Sequence, residues 1–216
     1  KTRLIDTEIT IKEIRILMND FNVHHFFICD DTFGQSREHT VRLLNRIIDE
    51  KLNITWSYQT HDEQIDDDFA KLMKKAGCTQ ASIGVETGSP KVRKIIKKGN
   101  TVESIRNAAK ILKKNKIELA AFFMFGFPGE TLEDIELSVQ FLKEIQPYTA
   151  HCNIATPDPK TELLDIMRAN NRFTGNIDWI TFFHQNPDLF LVEGLSKEES
   201  TKVISELQTV FDDFNK

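Results

Sequence analysis

Ser82-Ile83-Gly84-Val85-Glu86-Thr87-Gly88-Ser89-Pro90 decides the fold class. A β-prone run stops at Glu86 and the chain turns through Gly88. Ser89 and Pro90 then supply an N-cap followed by proline at the first helical position. A strand feeding a helix in this way is half of a βαβ unit. Its last residue lies at the strand's carboxyl end, where α/β proteins keep their ligand chemistry.

The same alternation runs outward in both directions. Upstream, strands are expected at 25–29, 53–58 and 79–85, and downstream at 117–125 and 149–155. Helical patterns separate them. Thr10 to Glu13 reads as a capping box ahead of Ile11, Ile14, Met18 and Phe21 at helical spacing. Ser36 is placed to cap a helix with Val41, Leu44, Ile47 and Ile48 inward. Asp66 opens one with Phe69, Leu72 and Met73 inward, ended by Gly77. Thr101 begins a helix on Ile105, Ala108, Ala109 and Leu112, and Thr131 one on Ile135, Val139 and Leu142. A further helix starts at Thr161. Ser196 to Glu199 is a capping box for a last helix through Val203, Leu207, Val210 and Phe214. Residues 171–195 show no period and read as irregular.

Strands alternating with helices over such lengths argue for parallel βαβ units with right-handed crossovers. A closed eight-stranded barrel takes about 250 residues. The expectation is therefore an open or partial barrel, or a doubly wound sheet.

The net charge of -5 gives no general case for binding polyanions. Residues 91–116 hold ten Lys or Arg and one acid, Glu103. They read as the solvated outer face of two helices, with a nucleic-acid or partner patch as the minority reading, since it lacks interleaved aromatics. Three scattered cysteines, Cys29, Cys78 and Cys152, fit neither a disulfide framework nor a metal site, and suit a reduced cytoplasmic setting. No apolar run is long enough for a membrane span or a signal peptide.

With all strands parallel, the carboxyl-end rim collects Asp30, Asp31, Thr60, His61, Glu86, Thr87, the turn from Phe125 to Gly129, and Thr156 to Asp158. Such a rim suits a ligand with an ammonium group, a sugar diol and a flat ring. Carboxylates pair with the ammonium and accept from the diol, and glycine lets the ring approach the backbone.

Four stretches then carry a resemblance. They are Phe27-Ile28-Cys29-Asp30-Asp31-Thr32-Phe33, Lys75-Ala76-Gly77-Cys78, Ile83 to Ser89, and Met124-Phe125-Gly126-Phe127-Pro128-Gly129-Glu130-Thr131. In this order they resemble the radical S-adenosylmethionine superfamily, in the branch with cobalamin-binding radical enzymes, methylthiotransferases and anaerobic coproporphyrinogen oxidases. The resemblance covers roughly residues 1–165. Thr156 to Leu163 is similar to that branch's Pro-Tyr-Pro-Gly-Thr-x-Leu segment, with Asp158 in place of Tyr and Lys160 in place of Gly.

The resemblance implies an α/β fold, a partial (βα)6 barrel over residues 1–170 whose visible strands are the second to sixth. Residues 171–216, with the extra C-terminal helix, would form an extension packed on it. It implies S-adenosylmethionine as ligand, with Asp31 or Asp30 on the methionine amino group, Glu86 and Thr87 on the ribose, and Phe125 and Gly126 along the adenine. In the family a [4Fe–4S] cluster on Cys-x3-Cys-x2-Cys reduces the ligand to methionine and a 5′-deoxyadenosyl radical. No such cysteine run occurs in this sequence, so the first strand and cluster loop are expected to be missing. This polypeptide is accordingly expected to bind no cluster and to be inactive by itself. The resemblance further implies an unidentified small-molecule substrate, a flavodoxin or ferredoxin as reductant, and a cobalamin domain as an upstream possibility.

Other readings stand beside these. Asp30 and Asp31 could cap the following helical region. Glu86 could be a structural carboxylate paired with a nearby Lys or Arg. His61 is a lesser substrate-contact candidate, and Cys78 reads as a buried small hydrophobe. A non-radical hydrolase or lyase using Glu86 and Asp31 as an acid–base pair, or a non-catalytic binding module, are the alternative functions.

Overall fold

The computed structural model describes residues 3–170 and 189–216. Five strands, β1 (His25–Ile28), β2 (Thr55–Thr60), β3 (Cys78–Glu86), β4 (Glu118–Phe125) and β5 (Thr149–Ile154), form one parallel sheet in chain order. Eight α-helices are described: α1 (Thr7–Phe21), α2 (Arg37–Asp49), α3 (Asp67–Lys75), α4 (Pro90–Ile95), α5 (Val102–Lys114), α6 (Leu132–Ile145), α7 (Glu162–Ala169) and α8 (Lys197–Phe214). Every expected strand is present, with ends moved by one or two residues, and the fold is α/β as the alternation requires. Two compact units can be distinguished, one of Lys1–Gly84 with Glu103–Ala120, the other of Val85–Val102 with Ala121–Lys216.

In the first unit, β1 pairs with β2 in the register Phe26 to Trp56 and Ile28 to Tyr58. Trp56 and Tyr58 share one face of β2. There they meet Phe33 edge-on, at ring-centroid distances of 5.5 and 5.3 Å. The indole N–H of Trp56 donates to Ala76 O at 2.8 Å, and Thr60 Oγ1 donates to Phe33 O at 2.8 Å. The Tyr58 hydroxyl is fully buried without a hydrogen-bond partner among the described residues. Burial pushes it well above the ordinary tyrosine range, and the proximity of Cys78 adds to the rise.

Several helix faces differ from the sequence expectation. α1 starts at Thr7, because Asp6 caps it by accepting from Glu8 N at 2.8 Å; the Thr10 capping box does not form. Of its expected inward residues only Ile11 is buried, and Phe21 is exposed. Ser36 occupies the N-cap position of α2 without a side-chain cap bond. The buried face of α2 is Thr40, Leu43, Leu44 and Ile47, one position round from the expected stripe. α3 buries Ala70 with Phe69 and Met73, while Leu72 is only partly buried. α5 buries Ile105, Ala108, Ala109 and Leu112 as expected.

In the second unit, Phe123 and Phe125 stack with each other and meet Phe211 of α8 edge-on, at 5.4 and 5.8 Å. α8 has the expected Ser196–Glu199 capping box. It buries Ser200, Ile204, Leu207 and Phe211 instead of Val203, Val210 and Phe214. The Asn215 amide takes both backbone groups of Ala150, at 2.9 and 2.8 Å, and so covers part of the free edge of β5. α6 is capped by Thr131 with Asp134 as its reciprocal partner. The irregular reading of 171–195 falls largely on residues 171–188, outside the described residues.

Candidate functional site

In the second unit, Glu86 ends β3 with its backbone in the left-handed region, φ +61°. Its side chain is 18% exposed and accepts from Lys98 Nζ at 2.8 Å. Behind it lies Arg93 of α4, 5% exposed. One guanidinium nitrogen, Nη2, donates to Val85 O at 2.7 Å and Thr87 O at 2.8 Å, the carbonyls on either side of Glu86. The other, Nη1, donates to Asn100 Oδ1 at 2.7 Å. Lys98 N in turn donates to Arg93 O at 3.0 Å.

The following turn is tied from inside. Thr87 is 0% exposed, and its hydroxyl shares a hydrogen bond with Ser138 Oγ at 3.0 Å and accepts from Ser89 N at 3.0 Å. Gly88 N donates to Ser138 Oγ at 2.9 Å. Gly88 has to be glycine for space: a Cβ there would come within 2.5 Å of Leu137 O. Ser89 Oγ donates to Asp134 Oδ1 at 2.6 Å, and Lys91 Nζ to Asp134 Oδ2 at 2.7 Å. Burial pushes the Asp134 carboxyl up. Lys91, Ser89, and the N–H and hydroxyl of Thr131 outweigh it and hold the group well below the ordinary carboxylate range.

Phe125 is 0% exposed, its ring in the aromatic cluster with Phe211. Its carbonyl accepts from Ala155 N at 2.8 Å. Gly126 has φ +87°, and its N–H donates to the buried carboxylate of Glu130. That carboxylate also accepts from Phe127 N at 3.3 Å.

In the first unit, Asp30 and Asp31 are exposed just past β1 and border a cleft of about 800 Å³. Its apolar wall includes Ile14, Leu17, Phe26, Phe27 and Ile28. Free carboxylates beside an apolar wall suit a ligand with an ammonium group on a short aliphatic arm. Neither aspartate caps α2; Arg37 at its start bonds instead to Gln64 O and Asp66. His61 is exposed.

The three thiols do not assemble into a metal site. Cys29 is exposed, and Cys78 is buried, as expected of a small hydrophobe. Burial pushes Cys78 and Cys152 up to about 12 each. Among the described residues no group of three or more His, Cys, Asp or Glu is arranged to hold a metal ion. The residues described therefore do not fit a four-iron cluster.

At least five of the ten cations in the basic run form ion pairs among the described residues. Lys91 pairs with Asp134, Lys97 with Glu162, Lys98 with Glu86, Arg106 with Glu103 and Lys114 with Asp67. Among the described residues, no helix is long and apolar enough to cross a membrane.

The Glu86–Lys98 pair is the one the structural reading of Glu86 expects, whereas the sequence does not single out Arg93 or Ser138. Two signals were available. Ser138 lies on the inward stripe of α6 between Ile135 and Leu142, where a small polar residue needs a partner. Arg93 follows Val92 in a helix too short to leave its arginine far from the strand end.

The family model of the Radical SAM superfamily matches residues 1–142. A protein of Pyrococcus horikoshii described as an uncharacterized methyltransferase is 33% identical over 164 residues, 76% of this chain and 36% of its own length. The anaerobic magnesium-protoporphyrin IX monomethyl ester cyclase of Rubrivivax gelatinosus is 26% identical over 163 residues, 74% of this chain and 29% of its own length. The chain thus spans about a third of the length of these curated relatives. Among solved structures, the radical S-adenosylmethionine methyltransferase TsrM of Kitasatospora setae, with cobalamin and a [4Fe–4S] cluster bound, superposes with a TM-score of 0.63. Its identity is 19%, over 68% of this chain and 30% of that one.

Proposed function

The chain belongs to the radical S-adenosylmethionine superfamily, and on that premise we propose that it is the S-adenosylmethionine-binding core of a radical enzyme. The observation that carries the reading is the Glu86–Lys98 pair at the end of β3. A carboxylate with one oxygen engaged still accepts from a ribose diol. The ammonium beside it complements the ligand's amino-acid carboxylate. Asp31, with Asp30, accepts from the methionine ammonium. At Phe125 and Gly126 the ring, the Phe125 carbonyl and the Gly126 N–H are all engaged within the protein, so these residues shape the turn beside the adenine rather than bond to it.

Binding and orienting the sulfonium ligand is what these residues do. No step through a cluster follows from them, because no set of described residues fits one. Family membership implies a small-molecule substrate and a reductant. For the whole protein we extend the proposal to a flavodoxin or ferredoxin as that reductant, and to cobalamin, which TsrM binds. A hydrolase using Glu86 as general base is disfavoured, since Lys98 already occupies its Oε1 at 2.8 Å.

The test is titration calorimetry of S-adenosylhomocysteine, a stable analogue, into the purified chain. Saturable one-to-one binding is expected, weakened at least tenfold in Glu86→Gln and in Asp31→Asn. A charge-assisted hydrogen bond of about 1.5–3 kcal/mol corresponds to roughly ten- to a hundredfold in affinity. Binding unchanged in both variants would refute the assignment.

A further inference from the structure

We propose that Arg93 is a positioning residue that holds Glu86 in its left-handed backbone conformation and thereby sets affinity for the adenosyl ligand. The inference rests on the reading of Glu86 given above. Residues with a Cβ seldom adopt φ near +60°, and when they do it is mostly asparagine or aspartate. Glu86 does so at +61°. Its ion pair with Lys98 gives no reason for this, because a four-bond side chain reaches an ammonium from many backbone conformations.

The backbone gives the first part of the reason: Thr87 N donates to Val85 O at 2.8 Å and closes a γ-turn on Glu86, a strained turn that needs support. Val85 O and Thr87 O converge on the single nitrogen Nη2 of Arg93 at 2.7 and 2.8 Å. In an extended strand, carbonyls two residues apart point the same way but lie over 6 Å apart along the chain. They reach one donor only if the residue between them turns sharply. A buried guanidinium loses its hydration and needs its donors used. With Arg93 buried, the turned conformation at Glu86 gives Nη2 two backbone acceptors, and Nη2 in turn supports the strained turn.

The same side chain also fixes the other half of the pair. Nη1 holds Asn100 at 2.7 Å, and the Arg93 carbonyl accepts from Lys98 N at 3.0 Å. Arg93 is thus bonded on one side to the strand end that carries Glu86 and on the other to the segment that carries Lys98. Through these bonds it acts on the ligand by way of Glu86 and Lys98.

The experiment compares Glu86→Gly with Glu86→Ala, which differ by one Cβ, in the native and Arg93→Gln backgrounds. With Arg93 present, Gly relieves the left-handed strain and melts roughly 2–4 °C above Ala. In Arg93→Gln the turn relaxes and the gap closes or reverses. In chains retaining Glu86, Arg93→Gln weakens S-adenosylhomocysteine binding at least tenfold, with far-ultraviolet circular dichroism unchanged. A Gly–Ala gap that persists in Arg93→Gln overturns the proposal, as does native affinity in Arg93→Gln. If S-adenosylhomocysteine does not bind the native chain, the adenosyl reading fails and the Gly–Ala gap alone decides the role of Arg93. If Arg93→Gln does not fold, Asn100→Ala, which loosens the guanidinium without removing it, is expected to narrow the same gap; no narrowing overturns the proposal.

Discussion

Replacing Ser138 by alanine removes one oxygen and breaks the tie between α6 and the turn after Glu86. Ser138 Oγ donates its one hydrogen to Asp134 O at 3.1 Å and accepts from Gly88 N at 2.9 Å and from Thr87 Oγ1 at 3.0 Å. The Gly88 N–H is buried with no space for water, since the turn already lies against Leu137 and Phe141. Leaving that donor unsatisfied costs about 1–3 kcal/mol, and the shared hydroxyl bond adds about 0.5–1.5 kcal/mol. The bond to Asp134 O contributes little, because that carbonyl keeps an acceptor role within the helix. The expected loss is therefore about 2–4 kcal/mol. With a urea m-value of roughly 2 kcal/mol/M, the unfolding midpoint falls by about 1–2 M. Amide exchange of Gly88 and Ser89 should accelerate together, since Ser89 N bonds to the same Thr87 hydroxyl. A midpoint shift under about 0.3 M with Gly88 exchange unchanged would refute the reasoning.

Tyr58→Phe removes a buried hydroxyl that has no described partner, so stability should be unchanged or up to about 1 kcal/mol higher by urea unfolding, where most core substitutions lose stability. Lys160→Gly replaces a residue at φ +64° and should stabilise by about 0.5–1 kcal/mol, read as a higher melting temperature. Asp134 has a folded pKa held below its ordinary 3.8, so its stabilisation is complete above that value and is lost as pH falls further. An acid titration followed by circular dichroism should show a stability slope below pH about 4 that is shallower in Asp134→Asn. Gly126→Ala forces a Cβ to 2.9 Å from the Phe190 ring at φ +87° and should cost about 1–3 kcal/mol by urea unfolding.

The alternation of strands and helices was legible in the sequence because period-2 and period-3.6 patterns are set by burial along one element at a time. Ser89, Thr131, Thr161 and Ser196 cap their helices for the same local reason. Helix faces were less legible. In α2 and α8 the stripe is one position off, because apolar residues line both candidate faces and the choice belongs to whatever packs opposite. Within the site, Glu86 was legible from its place at a strand end, since the turn chemistry is adjacent in sequence. A nearby cation for Glu86 was also legible, and Lys98 supplies it; Arg93 and Ser138 were not, because their roles are fixed by convergence: two carbonyls on one nitrogen, and a serine 50 residues from the turn it holds. Thr87 and Phe125 lie on the motif positions, yet their side chains point into the protein, a distinction that spacing alone does not make.

Hydrogen exchange with and without S-adenosylhomocysteine addresses the central claim most directly. Protection is expected in the segments that carry Asp30 and Asp31, Glu86, and the Phe125–Gly129 turn, with the rest of the chain unchanged. Protection elsewhere, or none at saturating ligand, would contradict the account.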